Sequence, residues 1–246
     1  MLANNEIGTV QPIKELCEIA HRHGALFHTD AVQALGSIPV SILDLGVDMM
    51  SFSAHKFYGP KGIGVLYVKG GIKPDKLIAG GHQERTRRGG TTNVPAVVGL
   101  AKALEEAIEG LEANYNHIKG LRDYFVQEVE KNIPFVVYNG HRDSRLPQNA
   151  NFAFEFIEGE SLLLTLDLSG IACSSGSACS SGSLEPSHVL LATGLPIEKA
   201  HGSIRFSFGK DTTKEDVDYV LETLIGAVKR LRAMSPLYAE YIGGNK

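Results

Sequence analysis

Two side chains that can do chemistry stand at the ends of apolar stretches. Asp30 closes residues 25–30, a pattern typical of a short buried strand, and Lys56 follows a second predicted strand at residues 48–53. Ligands of open α/β sheets bind at the carboxyl ends of the strands. An amine and a carboxylate at two such ends suit pyridoxal phosphate, because the amine can form an imine and the carboxylate can keep the pyridine nitrogen protonated. The alternative is two surface charges, since Asp and Lys are mostly exposed.

Neighbouring polar residues extend this pattern. Gln33, three residues after Asp30, could donate a hydrogen bond to the phenolic oxygen of the ring, and Ser53 and His55 could bind the phosphate. A basic, glycine-containing stretch at residues 82–91 ends in Thr91 and precedes a predicted helix. Backbone amides at a helix start can bind phosphate together with a hydroxyl group. Taken alone, however, this stretch is better explained as a solvated basic loop.

A stretch rich in serine and glycine, residues 173–183, carries two of the three cysteines. This composition favours a flexible loop, in which we expect Cys179 to be an exposed, reactive cysteine rather than a structural one. Without that context the core would be the better assignment, because cysteine is among the most buried residue types. We expect Cys173, which follows two apolar residues, to be packed, and Cys17 to lie on the apolar face of a helix.

One arginine lies on a strand whose residues alternate in character. In the predicted strand at residues 203–208, Ile204, Phe206 and Phe208 share one face and Arg205 lies on the other. The planar guanidinium group suits the α-carboxylate of an amino-acid substrate. An exposed arginine on the outer face of a sheet explains the pattern equally well.

The composition excludes several classes of protein. The chain has 246 residues, a formal net charge of −4 and 43% hydrophobic residues, so no strong charge directs it to nucleic acid or to a membrane surface. No apolar run reaches the length of a membrane span. The three cysteines have no zinc-binding spacing, and their odd number argues against a disulfide framework, so we expect a reducing cytoplasm and no metal site.

The hydrophobic pattern divides the chain into two lobes. Helical spacing after Pro12 and strands at residues 25–30, 48–53 and 64–68 predict an α/β lobe with a mainly parallel sheet. Residues 93–132 are mostly helical, with a break at residues 110–116 that we take as a hinge. Beyond it, strands at 135–138, 151–156 and 203–208 and helices at 161–167, 186–193 and 214–234 predict an α+β lobe.

Together, these motifs resemble the cysteine desulfurases, pyridoxal-phosphate enzymes of fold type I, in the branch that serves nitrogenase and general iron–sulfur assembly. The matching motifs are in the family's order and span the whole chain: NNEIG (4–8), HTDAVQ (28–33), SAHKFYGPKG (53–62), RGGT (88–91), SSGSAC (174–179), SLEPSHVL (183–190) and SIRF (203–206). The long serine-rich segment around the cysteine is similar to that of the family's first group. The resemblance implies a large pyridoxal-phosphate domain, present in part at residues 1–112, and a small α+β domain with the cysteine loop at residues 113–246.

The resemblance also implies residue roles. Lys56 would hold the cofactor covalently and move the Cα proton, and Asp30 and Gln33 would contact the pyridine nitrogen and the phenolic oxygen. Ser53 and His55 would bind the phosphate. The remaining implied groups are the substrate-carboxylate ligands Asn5 and Arg205, the sulfur-accepting nucleophile Cys179, and Thr91, which would reach the cofactor of the other subunit of a homodimer.

The implied activity is removal of sulfur from L-cysteine, giving L-alanine and a persulfide that is passed to an iron–sulfur scaffold protein. Family members carry a further segment ahead of the NNEIG motif, so the resemblance predicts an incomplete large domain. Two alternatives follow. One is an inactive fragment that serves only in dimerisation or scaffold binding, and the other is a selenocysteine lyase or aminotransferase of the same fold. The cysteine-bearing loop argues against an ordinary aminotransferase.

Overall fold

The computed structural model describes residues 1–175 and 186–244. The chain divides into two compact units. The first unit comprises Met1–Ala3 and Gln11–Glu112, and the second unit comprises Asn4–Val10 and Ala113–Lys246. The sequence does not predict that Asn4–Val10 joins the second unit. Among the described residues, no helix is both long and apolar enough to cross a membrane.

The first unit is built on a sheet of three strands in the order β1-β2-β3. Strand β1 pairs with β2 in parallel and β2 pairs with β3 in antiparallel orientation, so this sheet is mixed rather than mainly parallel. The reason is the ten-residue connection from β2 to β3, since a parallel crossover needs a dozen residues or more. The elements are α1 (Ile13–Arg22), β1 (His28–Asp30), α2 (Ile42–Leu45), β2 (Met49–Ser53), a 310 helix (Ala54–Phe57), β3 (Gly64–Val68), α3 (Gln83–Thr86) and α4 (Val94–Glu109).

Helix α4 packs against the 310 helix and so fixes the residues that follow β2. Ala54 and Phe57 are buried in one cluster with Leu100 and Ala107 of α4. The turn at Gly36 is close to this cluster: its φ is +80°, and a Cβ there would lie 2.8 Å from the Cβ of Phe57. The 310 helix therefore has little freedom to shift.

The second unit contains an antiparallel sheet of four strands in the order β4-β5-β7-β6. The rest of the unit is mainly helical. The mostly helical stretch at residues 93–132 is divided at Gly110 into α4 and α5, so the predicted break at residues 110–116 is confined to Gly110 and residues 111–116 are helical. The elements are α5 (Leu111–Asn132), β4 (Val136–Tyr138), β5 (Asn149–Phe154), α6 (Gly159–Asp167), β6 (Ser174–Ser175), α7 (His188–Ala192), α8 (Ile197–Ala200), β7 (Ser203–Ser207), α9 (Lys214–Ala233) and α10 (Pro236–Gly244).

An aromatic core holds the second unit together. Every residue of β5 is buried, and the ring of Phe125 from α5 lies 6.2 Å from that of Phe152 and 4.9 Å from that of Phe206, centroid to centroid. Strand β5 ends at Phe154, two residues earlier than predicted, because the chain turns at Phe156, whose φ is +69°. The short strand β6 was not predicted from the sequence.

Candidate active site

The carboxyl ends of β1 and β2 lie side by side in the first unit. Because the two strands are parallel, with Asp30 in register with Ser51, their ends meet at one edge of the sheet. The amide of Ala31 continues the ladder by donating to the carbonyl of Ser51 at 2.8 Å. The Asp30 carboxylate accepts a hydrogen bond from the amide of Val32 at 2.8 Å, which fixes its orientation. Gln33 lies partly buried in the turn that follows.

The 310 helix after β2 presents its polar residues to solvent. Buried Ala54 and Phe57 flank His55 and Lys56, which are both exposed. Ser53, the last residue of β2, has its hydroxyl 2.8 Å from Nδ1 of His55. The structure therefore brings Ser53, His55 and Lys56 to the same sheet edge as Asp30.

The basic stretch at residues 82–91 is a loop built on unusual backbone geometry. Glu84 and Arg85 have positive φ of 50° and 57° within α3. The amide of Gly89 donates to the carbonyl of Ile78 at 2.9 Å, and a Cβ at Gly89 would come within 2.6 Å of a carbonyl oxygen. Thr91 is exposed, and α4 starts later, where the Asn93 side chain accepts from the amide of Ala96 at 3.3 Å.

In the second unit the structure brings Asn5 and Arg205 together. Arg205 lies on β7, opposite Asn151 of β5 and Ser174 of β6. Its Nη1 donates to the backbone carbonyl of Asn5 at 2.8 Å, and its Nη2 donates to the hydroxyl of Ser174 at 3.4 Å. Within the described part of the chain, its Nε is buried and has no hydrogen-bond partner.

Hydrogen bonds to its backbone hold the segment Asn4–Val10 within the second unit. The side chain of Asn4 accepts from the amide of Glu6 at 2.8 Å, which closes a tight turn around Asn5. The carbonyl of Glu6 accepts from the side-chain amides of Asn149 and Asn151, each at 3.0 Å. Sequence reasoning missed these residues, because a polar side chain that binds a distant backbone group leaves no periodic signal.

A buried arginine adds to this network. Arg145 is 4% exposed, and its Nη2 donates to the carbonyl of Ile7 at 2.6 Å and to that of Asn139 at 2.9 Å. Burial lowers the pKa of Arg145 to about 10, so the side chain is still charged at neutral pH. The guanidinium group also lies 3.9 Å from the ring centroid of Tyr138.

The cysteines fall into two groups. Cys179 lies outside the described residues. Cys17 is buried, as predicted, and its thiol donates to the carbonyl of Gly46 at 3.3 Å. Burial raises the pKa of Cys17, and burial raises the pKa of the partly buried Cys173 to about 11. Both thiols therefore stay protonated at neutral pH and are poor nucleophiles.

The residues at the sheet edge of the first unit fit pyridoxal phosphate by the chemistry of their donor groups. A fixed carboxylate (Asp30) can pair with a protonated pyridine nitrogen, and an exposed amine (Lys56) can bond to the aldehyde carbon. A hydroxyl and an imidazole within hydrogen-bond distance of each other, those of Ser53 and His55, can share a phosphate oxygen. Over residues 1–175 and 186–244, no group of three or more His, Cys, Asp or Glu side chains is placed to hold a metal ion.

Comparison with known proteins identifies the family of the chain. The family model for class-V aminotransferases matches residues 1–220. The chain belongs to the class-V aminotransferase family. Pyridoxal phosphate is the cofactor of this family.

Individual relatives carry more specific names. The chain is 55% identical over 241 residues to a protein of Dictyoglomus turgidum named cysteine desulfurase IscS, a match that covers 98% of this chain and 61% of the relative. A protein of Methanosarcina thermophila with the same name is 54% identical over 96% of this chain and 58% of its own length. The chain thus spans about three fifths of the length of the curated relatives it matches.

A solved structure also has the same fold. A NifS-like protein superposes with a TM-score of 0.86 at 39% identity, covering 94% of this chain and 60% of its own. The predicted pyridoxal-phosphate transferase fold is thereby confirmed. A second solved structure, SspA in complex with cysteine, has a TM-score of 0.69 at 35% identity and covers 86% of this chain and 58% of its own.

Proposed function

We propose that this chain serves a cysteine desulfurase reaction, in which sulfur from L-cysteine is transferred to Cys179 and L-alanine is released. The observation that carries the proposal is the sheet edge of the first unit, where Asp30 ends β1 and Lys56 follows the adjacent parallel strand β2. The names of the relatives and the solved neighbour described in complex with cysteine support this choice of reaction and substrate.

The first unit would hold the cofactor. Lys56 binds it covalently, Asp30 pairs with the pyridine nitrogen and Gln33 contacts the phenolic oxygen, while Ser53 and His55 bind the phosphate. When bound, the cofactor draws electron density away from the substrate carbon atoms, which lets a proton leave Cα. The amine of Lys56 takes and returns that proton, a role that its exposure at the end of a rigid 310 helix supports.

The second unit would hold the substrate and the nucleophile. Arg205 and Asn5 bind the substrate carboxylate, and the buried Nε of Arg205, which has no partner among the described residues, is available as a donor. The thiolate of Cys179 then attacks the sulfur of the substrate. The bond between Cβ and sulfur breaks, a sulfur–sulfur bond forms, and the released electron pair and a proton go to Cβ, which becomes the methyl group of alanine. No external oxidant or reductant is required.

The wider setting is part of the same proposal. Residues 1–112, apart from Asn4–Val10, correspond to the large cofactor domain, and residues 113–246 to the small domain. The protein acts as a homodimer in the cytoplasm, with exposed Thr91 reaching the cofactor phosphate of the other subunit. The persulfide is passed to an iron–sulfur scaffold protein. These points rest on the resemblance of the motifs and on the cysteine content.

The test is to incubate the purified chain with pyridoxal phosphate and L-cysteine and to measure alanine, sulfide and the persulfide by mass spectrometry. We expect equal amounts of alanine and transferred sulfur, and we expect the Cys179→Ser variant to form no persulfide. Cys173→Ser is the matched control, because its thiol is partly buried with a raised pKa and should not react. A Cys179→Ser variant that still releases sulfide at the full rate would contradict the assignment of the nucleophile.

A further inference from the structure

A buried acid joins the substrate-binding segment to the start of α7. Glu6, next to Asn5, is 7% exposed, and its carboxylate accepts a hydrogen bond from the hydroxyl of Ser187, which is 3% exposed. This bond joins two buried side chains that are 181 residues apart in the sequence. A buried carboxylate costs free energy unless it is hydrogen-bonded, so an acid at this position calls for an explanation beyond packing.

The hydroxyl of Ser187 makes three hydrogen bonds. Besides donating to Glu6, it accepts from the amides of Val189 at 3.1 Å and Leu190 at 3.3 Å, and so caps α7. A hydroxyl has one proton to donate and two lone pairs. All of them are used, which fixes the side chain of Ser187 and the first turn of α7 relative to Glu6.

Apolar packing alone already holds the two segments together. Ile7, Leu190 and Ala200 form a buried cluster of their own. Apolar contacts are non-directional, whereas a hydrogen bond fixes distance and angle. The bond between Glu6 and Ser187 therefore adds orientation to an association that the cluster already stabilises.

The other side of the cysteine-bearing stretch is also fixed to the substrate site. Ser174 pairs with Arg205 in the sheet, and its hydroxyl accepts from Nη2 of the same arginine at 3.4 Å. Cys179 follows Ser174 by five residues and precedes Ser187 by eight. Since a chain spans at most about 3.6 Å per residue, Cys179 can reach no further than about 18 Å from Ser174 and about 29 Å from Ser187.

We propose that Glu6 and Ser187 are positioning residues for sulfur transfer: their hydrogen bond fixes the C-terminal end of the segment that carries Cys179 to the residues that bind the substrate carboxylate. The inference rests on the proposed desulfurase function. The volume open to Cys179 is limited by both fixed ends, so the bond raises the effective concentration of its thiolate near the substrate, in the same way as any tether between two reactants.

This role predicts that loss of the bond lowers kcat and leaves KM for L-cysteine nearly unchanged. The backbone of Asn5 and Glu6 is held by Asn4, Asn149 and Asn151 independently of the Glu6 carboxylate. Loss of the bond to Ser187 therefore leaves substrate binding in place and reduces only the rate at which Cys179 meets the substrate.

The experiment compares Ser187→Ala with Thr213→Ala in the full chain with pyridoxal phosphate. Both variants remove the N-cap of a helix in the second unit, since Thr213 caps α9 by accepting from the amide of Asp216. Only Ser187→Ala also removes the bond to Glu6. We expect Ser187→Ala to lower kcat for persulfide formation about tenfold with KM for L-cysteine changed less than about twofold, and Thr213→Ala to change neither.

A conservative series on the partner tests the bond itself. Glu6→Gln keeps an acceptor for the hydroxyl and should retain most of the rate, whereas Glu6→Met removes the acceptor and should match Ser187→Ala. The double variant Glu6→Met with Ser187→Ala should be no slower than either single variant, because both remove one interaction. Equal losses in the Thr213→Ala control, or a change in KM alone, would overturn the inference while the desulfurase function stands.

Hydrogen exchange supplies a readout that does not need activity. If the bond fixes the start of α7, Glu6→Met accelerates amide exchange there although the Ser187 cap remains, while residues 4–10, whose backbone Asn4, Asn149 and Asn151 hold, keep their protection. Unchanged exchange at the start of α7 in Glu6→Met would refute the coupling whatever the kinetics. A wild-type chain that forms no persulfide would instead overturn the proposed function, and with it the role of the pair in sulfur transfer.

Discussion

In the first unit Lys56 is positioned by its neighbours in one short 310 helix, whereas in the second unit Arg205 is positioned by groups far away in the chain. Ala54 and Phe57, the first and last residues of that helix, are buried. Arg205, in contrast, donates to the carbonyl of Asn5 across 200 residues of sequence. The comparison teaches that an exposed reactive amine can be positioned through buried neighbours that pack on another helix, whereas a partly buried guanidinium group needs acceptors for its own nitrogen atoms.

The same contrast holds for the cores. The first unit has a small cluster of four buried residues around the 310 helix and α4, while the second has an aromatic core that includes Phe125, Phe152 and Phe206. The site of the first unit thus lies beside a small cluster, and that of the second on a sheet whose strand β5 is buried throughout. We therefore expect substitutions at the site of the first unit to reduce turnover with little loss of stability, and substitutions in the core of the second unit to reduce the free energy of unfolding.

The largest effect is expected at Lys56. Lys56→Ala removes the covalent anchor and the proton carrier, so desulfurase turnover should fall by about a thousandfold or more, with little change in the unfolding midpoint. Borohydride trapping followed by mass spectrometry measures the adduct directly. The control is Lys61→Ala, which removes an exposed lysine of the same loop. A reducible adduct that survives in Lys56→Ala would show that another amine is the anchor.

The next effect concerns stability in the second unit. Phe125→Ala leaves a cavity in the aromatic core and should lower the free energy of unfolding by about 3–5 kcal/mol, whereas Leu100→Ala in the first unit should cost about 2 kcal/mol, near the low end for that exchange. Hydrogen exchange in urea reports on each unit separately. Leu77→Ala, at a residue that is 97% exposed, serves as the neutral control. Equal costs for the two core variants would contradict the contrast drawn between the units.

A smaller effect is expected at Arg205. Arg205→Lys keeps the charge but loses the fork that donates to Asn5 and Ser174 at once, so kcat/KM for L-cysteine should fall about tenfold to hundredfold, mostly through KM. Steady-state kinetics at saturating cofactor measures it. The matched change Arg142→Lys, at an exposed arginine paired with Glu130, should leave both constants unchanged. If Arg205→Lys lowered kcat alone, carboxylate binding would be the wrong role.

The smallest effect is a pH dependence in the first unit. Burial alone would raise the pKa of Asp48, but hydrogen bonds from the amide of Phe27 and from His21, with the charges of His21 and Lys69, outweigh it and hold the pKa below the ordinary value of 3.8. The stability that Asp48 contributes is therefore complete above about pH 4 and is lost as the pH falls through its lower folded pKa.

Asp48→Asn should therefore flatten the loss of stability of the first unit below about pH 4. Urea unfolding followed by hydrogen exchange between pH 2.5 and 6 measures this slope. Asp44→Asn is the comparison, since Asp44 lies exposed in α2. An unchanged slope in Asp48→Asn would assign the acid sensitivity of this unit to other carboxyl groups.

The elements around Lys56 could be predicted from the sequence because their causes are local. Apolar residues at 48–53, a turn at Gly59-Pro60 and a third strand at Gly64–Val68 determine where the lysine lies. The parallel arrangement of β1 and β2 also followed from the alternation of helices and strands. The antiparallel return of β3 was missed, although the short connection that requires it is visible in the sequence.

The surroundings of Arg205 could be predicted only in part. The buried positions of Ile204 and Phe206 agree with the alternating pattern. The pairing of β7 with β6 and the hydrogen bonds to Asn5 join residues that are distant in the chain, and no local propensity encodes them. The roles of Glu6, Asn149 and Arg145 were invisible for the same reason.

The assignment of Asn4–Val10 to the second unit has a consequence for biosynthesis. These residues are synthesised well before their partners Arg145, Ser187 and Arg205, which follow 138 to 200 residues later in the chain. Meanwhile the first unit, whose two parts flank Asn4–Val10 in the sequence, can fold while the backbone carbonyls of this stretch still face water. Closing so long a loop carries an entropic cost that grows only slowly with length, by about 0.6 kcal/mol for each doubling, so the delay is one of time rather than of free energy. A nascent chain halted before residue 145 should therefore leave this stretch open to a protease or a chaperone, while the sheet of the first unit is already protected.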